Sequence, residues 1–276
     1  MLFDSHTHLN NDTITPEERE ALIVDIEASD LSYVMDVGFD LASSMQAAED
    51  AERNPWCYAA VGVHPHDTDD MDEDILALIK SLAAKDKVMA IGEIGLDYHY
   101  DFSSREAQKH WFRRQIQLAN ALKMPIIIHS READEDTMNI LKEEGAFSKE
   151  RQSWFPKRKG PDGEELPDSR VLIHCFSSSR EIARQYVKLG ATIGICGPVT
   201  YKNNRRGKEV VMDTPIEFLT VETDAPYLTP EPFRGRKNKA PYVEYTARKI
   251  AELKEMEYEK VAEITCENAK KFFNIF

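Results

Sequence analysis

The chain contains no apolar run approaching the roughly 20 residues that a membrane helix needs, so it reads as a protein without a membrane span. Neither a basic nor a long apolar leader precedes Leu2-Phe3-Asp4, and on that basis a cytoplasmic location is expected. Cysteine is scarce. Cys57, Cys175, Cys196 and Cys266 stand far apart and form no Cys-x-x-Cys pair, which argues against a thiolate metal motif and for four reduced thiols. Positive charge is in deficit, with Lys+Arg 35 against Asp+Glu 49 and a formal net charge of -14. A field of that sign repels phosphates and argues against adhesion to nucleic acid over the whole surface, though a local basic rim remains open. No Gly-x-Gly-x-x-Gly follows the first apolar run, which counts against a doubly wound dinucleotide-binding sheet.

Eight short apolar runs alternate with amphipathic stretches along the 276 residues. The expected strands are Leu2–His8, Tyr33–Gly38, Cys57–His64, Val88–Glu93, Pro125–His129, Val171–His174, Ala191–Cys196 and Phe218–Asp224. Several are apolar throughout, as parallel strands covered on both faces are. Thr15-Pro16-Glu17-Glu18 has the pattern of a helix start, with a Thr cap, Pro in the first turn and Glu three residues past the cap. Helices are expected over Arg105–Lys123, Arg131–Glu144, Ser179–Leu189, Tyr242–Glu255 and about Tyr258–Phe273, with Gly190 as a stop. Strand–helix alternation repeated eight times predicts an α/β fold, a (β/α)8 TIM barrel forming a single domain over residues 1–276, with its site at the C-terminal ends of the strands.

Six side chains suited to metal ligation end these runs: His6 and His8, Glu93, His129, His174 and Asp224. Any one of these histidines alone is more often a hydrogen-bonded structural residue than a ligand. Six at equivalent places in a repeat are different, because strands sharing a rim deliver their last side chains to one point. Strict alternation puts Asp4, His6 and His8 on one face, and likewise Glu222 and Asp224. Six groups exceed the three protein ligands of a typical catalytic zinc, and they fit two ions sharing a carboxylate. Imidazole with carboxylate suits Zn, Mn, Co or Mg. Asp4 and Glu222, two residues deeper, are candidates to accept the second N–H of ligand histidines.

Other groups cluster on the same expected rim. Arg131 follows His129 closely. Arg205 and Arg206, with Lys202 and Lys208, follow the seventh run, and Arg234 and Arg236, with Lys237 and Lys239, follow the eighth. They are candidate phosphate contacts, as is His64; His66 and His99 are weaker candidates. Tyr98, Phe176, Tyr201 and Tyr227 are placed to stack on bases. The interval Phe147–Arg170 is too long for a tight helix-to-strand turn and reads as an inserted excursion on the opposite, bottom face. Its Lys157-Arg158-Lys159 run is expected to be a solvated loop or subunit contact rather than a nucleic-acid patch, with Trp154 and Phe155 covering apolar surface.

Phe3-Asp-Ser-His-Thr-His-Leu9, Gly62-Val-His-Pro-His66, Gly92-Glu-Ile-Gly-Leu-Asp97, Pro125-Ile-Ile-Ile-His-Ser-Arg131, His174-Cys-Phe-Ser177 and Glu222-Thr-Asp-Ala-Pro-Tyr-Leu228 together resemble the signatures of the TatD-type metal-dependent deoxyribonucleases of the amidohydrolase superfamily. The resemblance runs from Met1 to the last helix. It implies that His6, His8 and Asp224 hold one divalent ion, that His129 and His174 hold another, and that Glu93 bridges them. It also implies that Asp224 is the base for the attacking water. Ser178-Ser179 departs from the family, where a Gly commonly follows the His-Cys-Phe-Ser stretch, and the Phe147–Arg170 excursion is unusual.

The leading expectation is a hydrolase that cleaves phosphodiesters in DNA, single-stranded or at ends. The same ligands serve ester or amide hydrolysis, including removal of a D-amino acid from tRNA, because fold does not fix the bond. A non-catalytic, metal-stabilised nucleic-acid-binding protein is the remaining class, and the completeness of the ligand set argues against it.

Overall fold

The computed structural model describes residues 1–276. In chain order the elements are β1 (Leu2–Thr7), α1 (Pro16–Glu27), β2 (Leu31–Val37), α2 (Leu41–Arg53), β3 (Cys57–Val61), α3 (Glu73–Leu82), β4 (Val88–Asp97), α4 (Arg105–Leu122), β5 (Ile126–Arg131), α5 (Asp134–Glu143), α6 (Lys149–Ser153), β6 (Arg158–Lys159), β7 (Glu165–Leu166), β8 (Val171–Ile173), α7 (Arg180–Lys188), β9 (Thr192–Ile195), α8 (Arg205–Asp213), β10 (Leu219–Val221), α9 (Val243–Lys254) and α10 (Tyr258–Phe272). Eight strands pair in parallel in the order β1-β2-β3-β4-β5-β8-β9-β10. At the top rim the last strand meets the first. The Asp224 N–H donates to the His6 carbonyl at 2.9 Å, and the His8 N–H to the Ala225 carbonyl at 2.8 Å. The result is the (β/α)8 barrel, and the helix start at Thr15 is a capping box with Pro16 in the first turn.

Two layers of core follow from the pleat. One set of strand residues, including Phe3, Met35, Val37, Ile127 and Leu172, packs with Phe272 and Phe273 at the end of α10. The other set packs outward against the helix ring. The strands are so short and apolar because every residue faces one layer or the other.

Three strand ends differ from expectation by three residues or more. β4 runs four residues past Glu93 to Asp97. Gly95 permits this, since a Cβ there would stand 1.9 Å from the His129 carbonyl oxygen of β5. β3 stops at Val61, and His64 instead caps a short turn over Pro65–Asp70. β10 stops at Val221, so Glu222 and Asp224 belong to the rim, with Asp224 at φ +56.

The Phe147–Arg170 excursion holds a larger surprise. It forms α6 and the β6–β7 hairpin, and it lies at the barrel's bottom, beside the starts of β8 and β9. Phe155 is buried, as expected, and Lys157 and Lys159 are exposed, but Arg158 between them is not solvated. Arg158 is buried over the Phe218 ring and donates to the Glu217 carbonyl at 2.6 Å and to Thr192 Oγ1 at 2.7 Å. Arg151 is fully buried and donates to the carbonyls of Ser169 and Met124 and to Asn120 Oδ1. Burial, and then the neighbouring Arg170, pull the Arg151 guanidinium down to about 10, so it still carries its proton at neutral pH. For Arg158 the expected solvated loop or subunit contact is therefore corrected to a structural plug, completed by Arg151, because these two cations satisfy carbonyls that the bottom of the barrel leaves without partners. Arg151→Ala is expected to lower stability by about 1–3 kcal/mol for each buried carbonyl left unsatisfied. Urea unfolding should show it, with metal content of the folded fraction unchanged. A midpoint equal to wild type would return Arg151 to a peripheral role.

Candidate metal centre

The groups gathered at the top rim line a cavity of about 730 Å3 that includes His8, His64, Glu93, His129, His174 and Asp224. Glu93 stands at its floor, 3% exposed. Its two oxygens face different neighbours. Oε2 lies 3.4 Å from His6 Nε2 and 3.9 Å from His8 Nε2. Oε1 lies 2.8 Å from His129 Nδ1, 3.2 Å from His174 Nε2 and 3.8 Å from His64 Nε2. Asp224 Oδ1 joins the first group, 3.4 Å from His8 Nε2 and 3.9 Å from His6 Nε2. His6 and His8 bring their Nε2 atoms within 3.2 Å of each other.

Local structure explains each placement. The His8 Nδ1–H donates to the Val37 carbonyl at 2.7 Å, which points Nε2 into the cavity. The His174 Nδ1–H donates to Glu222 Oε1 at 3.1 Å, leaving Nε2 for Glu93. Glu222 also accepts from the Cys175 N–H and, at 3.2 Å, from Cys196 Sγ. Gly194 makes room for that carboxylate, since a Cβ there would approach it to 2.5 Å. Glu222 thus occupies the supporting place expected of it.

Asp4 does not, and that expectation is corrected. It accepts from the Thr223 N–H at 2.9 Å, from Thr223 Oγ1, and weakly from the His6 backbone N–H, and it bonds no imidazole ring. Both Asp4 oxygens are taken by Thr223 just past β10, and a register irregularity lies between Asp4 and Thr7 in the β1–β2 pairing. His6 and His8 still meet, while the His6 Nδ1 is buried without a partner.

One acid went unread in the sequence. Asp97, fully buried, accepts from His129 Nε2 at 3.1 Å and His66 Nε2 at 2.9 Å, and from the N–H groups of His99 and Tyr100. Burial alone would raise its pKa, but these donors hold it well below the usual carboxylate range. Glu93 behaves alike: burial is outweighed by the imidazoles of His174, His64 and His129, so it stays ionised. His64 goes the other way, its charged form disfavoured by burial and then by His129.

Among the expected substrate contacts, His64, Arg131 and Tyr227 line the cavity, and so does His66. Arg205, Arg206, Arg234 and Arg236 do not. Arg205 is paired with Glu209 at 2.7 Å on the first turn of α8, and Arg206 beside it is exposed. Arg234 lies 4.3 Å over the Tyr201 ring and Arg236 5.7 Å from the Phe233 ring. Lys237 and Lys239 are paired with Glu18 and Asp25 on α1. The Tyr98 hydroxyl is bound to Asp136, and His99 is paired with Glu132 away from the cavity.

The donor set fits divalent metal. Glu93, Asp97, Glu222 and Asp224 converge in one buried region, yet none is paired with lysine or arginine; their only charged-type neighbours are imidazoles. Three overlapping groups, His6–His8–Glu93, His64–Glu93–His129 and His6–His174–Glu222, each have ligand atoms within 4.8 Å of one another. Buried carboxylates need a cationic partner, and hard or borderline cations are what such nitrogen and oxygen donors take.

A barrel with such a rim has the architecture of a metal-dependent hydrolase. A family model described as TatD related DNase matches residues 3–274, and the chain belongs to that family. It is 46% identical over 275 residues to the uncharacterized metal-dependent hydrolase YabD of Bacillus subtilis, covering 100% of both chains. It is 31% identical over 281 residues to the 3'-5' ssDNA/RNA exonuclease TatD of Citrobacter rodentium, covering 99% of this chain and 98% of that one. The crystal structure of YJJV, a TatD homolog from Escherichia coli, superposes with a TM-score of 0.84 at 24% identity, covering 100% and 98% of the two chains. No helix is long and apolar enough to cross a membrane.

Proposed function

We propose that this metal-dependent hydrolase cleaves phosphodiester bonds in single-stranded DNA or at DNA ends, with two divalent ions held at the rim. The observation that carries the two-ion reading is the division of Glu93, whose oxygens face two separate sets of donors. His6, His8 and Asp224 would hold one ion, His129 and His174 the other, with Glu93 between. When bound, such ions supply an acidified water and charge stabilisation for the phosphate. Asp224 takes the proton of the attacking water. The water oxygen then bonds phosphorus as the bond to the departing sugar oxygen breaks, and the proton is passed to that oxygen. Support for the substrate comes from the Citrobacter relative's description and from Arg131 beside the cavity.

Turnover of end-labelled oligonucleotides and of D-aminoacyl-tRNA, compared under added Zn, Mn, Co and Mg, tests the reading. Release of nucleotides supports it. Deacylation without nucleotide release would replace it with ester hydrolysis.

The rim cations give a second measurement. Arg131→Ala is expected to weaken oligonucleotide binding and to reduce the slope of log affinity against log salt by about 0.7, the share of one single-strand phosphate contact. Arg205→Ala with Arg206→Ala, or Arg234→Ala with Arg236→Ala, should add up to about that much per residue if a longer strand crosses the rim. A slope equal to wild type would return those residues to the solvated surface.

A further inference from the structure

Across the mouth of the cavity stand two apolar walls that the metal chemistry does not use. After β4, Tyr100 and Phe102 lie parallel, ring centroids 5.3 Å apart at 14°. Both are exposed, Tyr100 by 48% and Phe102 by 68%, and both line the cavity that holds the donors. Arg131, at the end of β5, lies 4.7 Å over the Tyr100 ring, and His66 meets Phe102 edge-on at 4.8 Å. After β10, Tyr227 and Leu228 line the same cavity and are exposed by 53% and 37%. β4 and β10 are the fourth and eighth strands of an eight-stranded barrel, so they stand on opposite sides of it. The two walls therefore face one another across the opening.

Resting on the proposed phosphodiesterase reading, we infer that Tyr100 and Phe102 form a stacking platform for one unstacked nucleobase, with Tyr227 and Leu228 as the opposing wall and Arg131 beside the platform for the adjoining phosphate. An exposed apolar patch rimmed by polar groups is the mark of a ligand-binding groove or a contact surface. A base is flat, every base has a π-face, and stacking is accordingly tolerant of sequence. A cavity of about 730 Å3 lies within the range of roughly 300–1,000 Å3 for small-ligand sites. That is room for a terminal nucleotide, not for a duplex, whose bases are already stacked on one another. The platform would thus make the site read strandedness rather than sequence.

The test uses the metal-loaded protein and short single-stranded oligonucleotides whose terminal linkages resist hydrolysis. One series carries all its bases; the other is abasic at the terminal nucleotides. Binding is read by fluorescence anisotropy, and cleavage is measured in parallel on the hydrolysable versions. Wild type should prefer the base-bearing strand by roughly 5- to 150-fold, the range for one base–aromatic stack, whichever base is present. Tyr100→Ala with Phe102→Ala should bring that preference close to one. Phe102→Tyr alone, which keeps a ring, should retain most of it. A double variant that keeps the full preference, or a wild type that shows none, overturns the platform. A preference in binding without cleavage of any oligonucleotide leaves the platform standing and overturns the phosphodiesterase reading instead.

Discussion

Asp224→Asn is expected to lower the rate constant for cleavage by about 10²–10⁴-fold, the usual contribution of a positioned general base, while oligonucleotide affinity changes far less. Geometry motivates the choice of residue. Asp224 lines the cavity and its side chain is 14% exposed, so it is the carboxylate of the first group that water can reach. Burial would raise its pKa, but the His8 hydrogen bond and the nearby imidazoles outweigh that and keep it ionised and able to accept a proton. Asn is the right replacement for two reasons. It keeps the shape and an oxygen for the metal side, and with Asp it is among the residues that tolerate the left-handed backbone seen at φ +56. What it loses is basicity. Single-turnover rates under saturating protein, set against anisotropy binding curves, separate the two effects. Loss of binding with an unchanged cleavage rate constant would contradict the role of base.

The barrel and most of the metal-type residues were legible because both depend on local pattern. An apolar run of fixed length ending in His or carboxylate is visible in a few residues, and repetition supplies the inference that the ends converge. What escaped depends on partners far away in the chain. Asp97 escapes because the apolar run ends at Glu93 while β4 continues, though Glu93, Gly95 and Asp97 alternate and that parity is the available signal. Alternation does not give Asp4's bonding because its partner, Thr223, lies 219 residues away in the chain. The burial of Arg158 is not legible because its acceptors, Thr192 Oγ1 and the Glu217 carbonyl, lie 34 and 59 residues away in the chain. Tyr100 and Phe102 sit in a loop without periodicity, and only the cavity shows what they face.

Removing Glu93 should have the widest effect of any single change at the rim. Its two oxygens divide between the two sets of donors, Oε2 toward His6 and His8, Oε1 toward His129, His174 and His64. In Glu93→Ala the second set keeps only imidazoles facing the cavity, its remaining carboxylates standing behind them, Asp97 at the far side of His129 and Glu222 at the far side of His174. Neutral imidazoles alone give a divalent ion no charge compensation in a buried site, and like-charge repulsion follows if they protonate. Metal analysis of the purified variant is therefore expected to show loss of at least one ion per chain, with nearly all activity lost. Glu93→Gln separates charge from shape, since it keeps one acceptor oxygen of the same reach. It should retain more metal than the alanine variant yet remain well below wild type in turnover. Circular dichroism on both variants controls for the void left beneath the rim. A folded Glu93→Ala protein with full metal occupancy and unimpaired turnover would remove Glu93 from the centre, and with it the reading of two ions joined by one carboxylate.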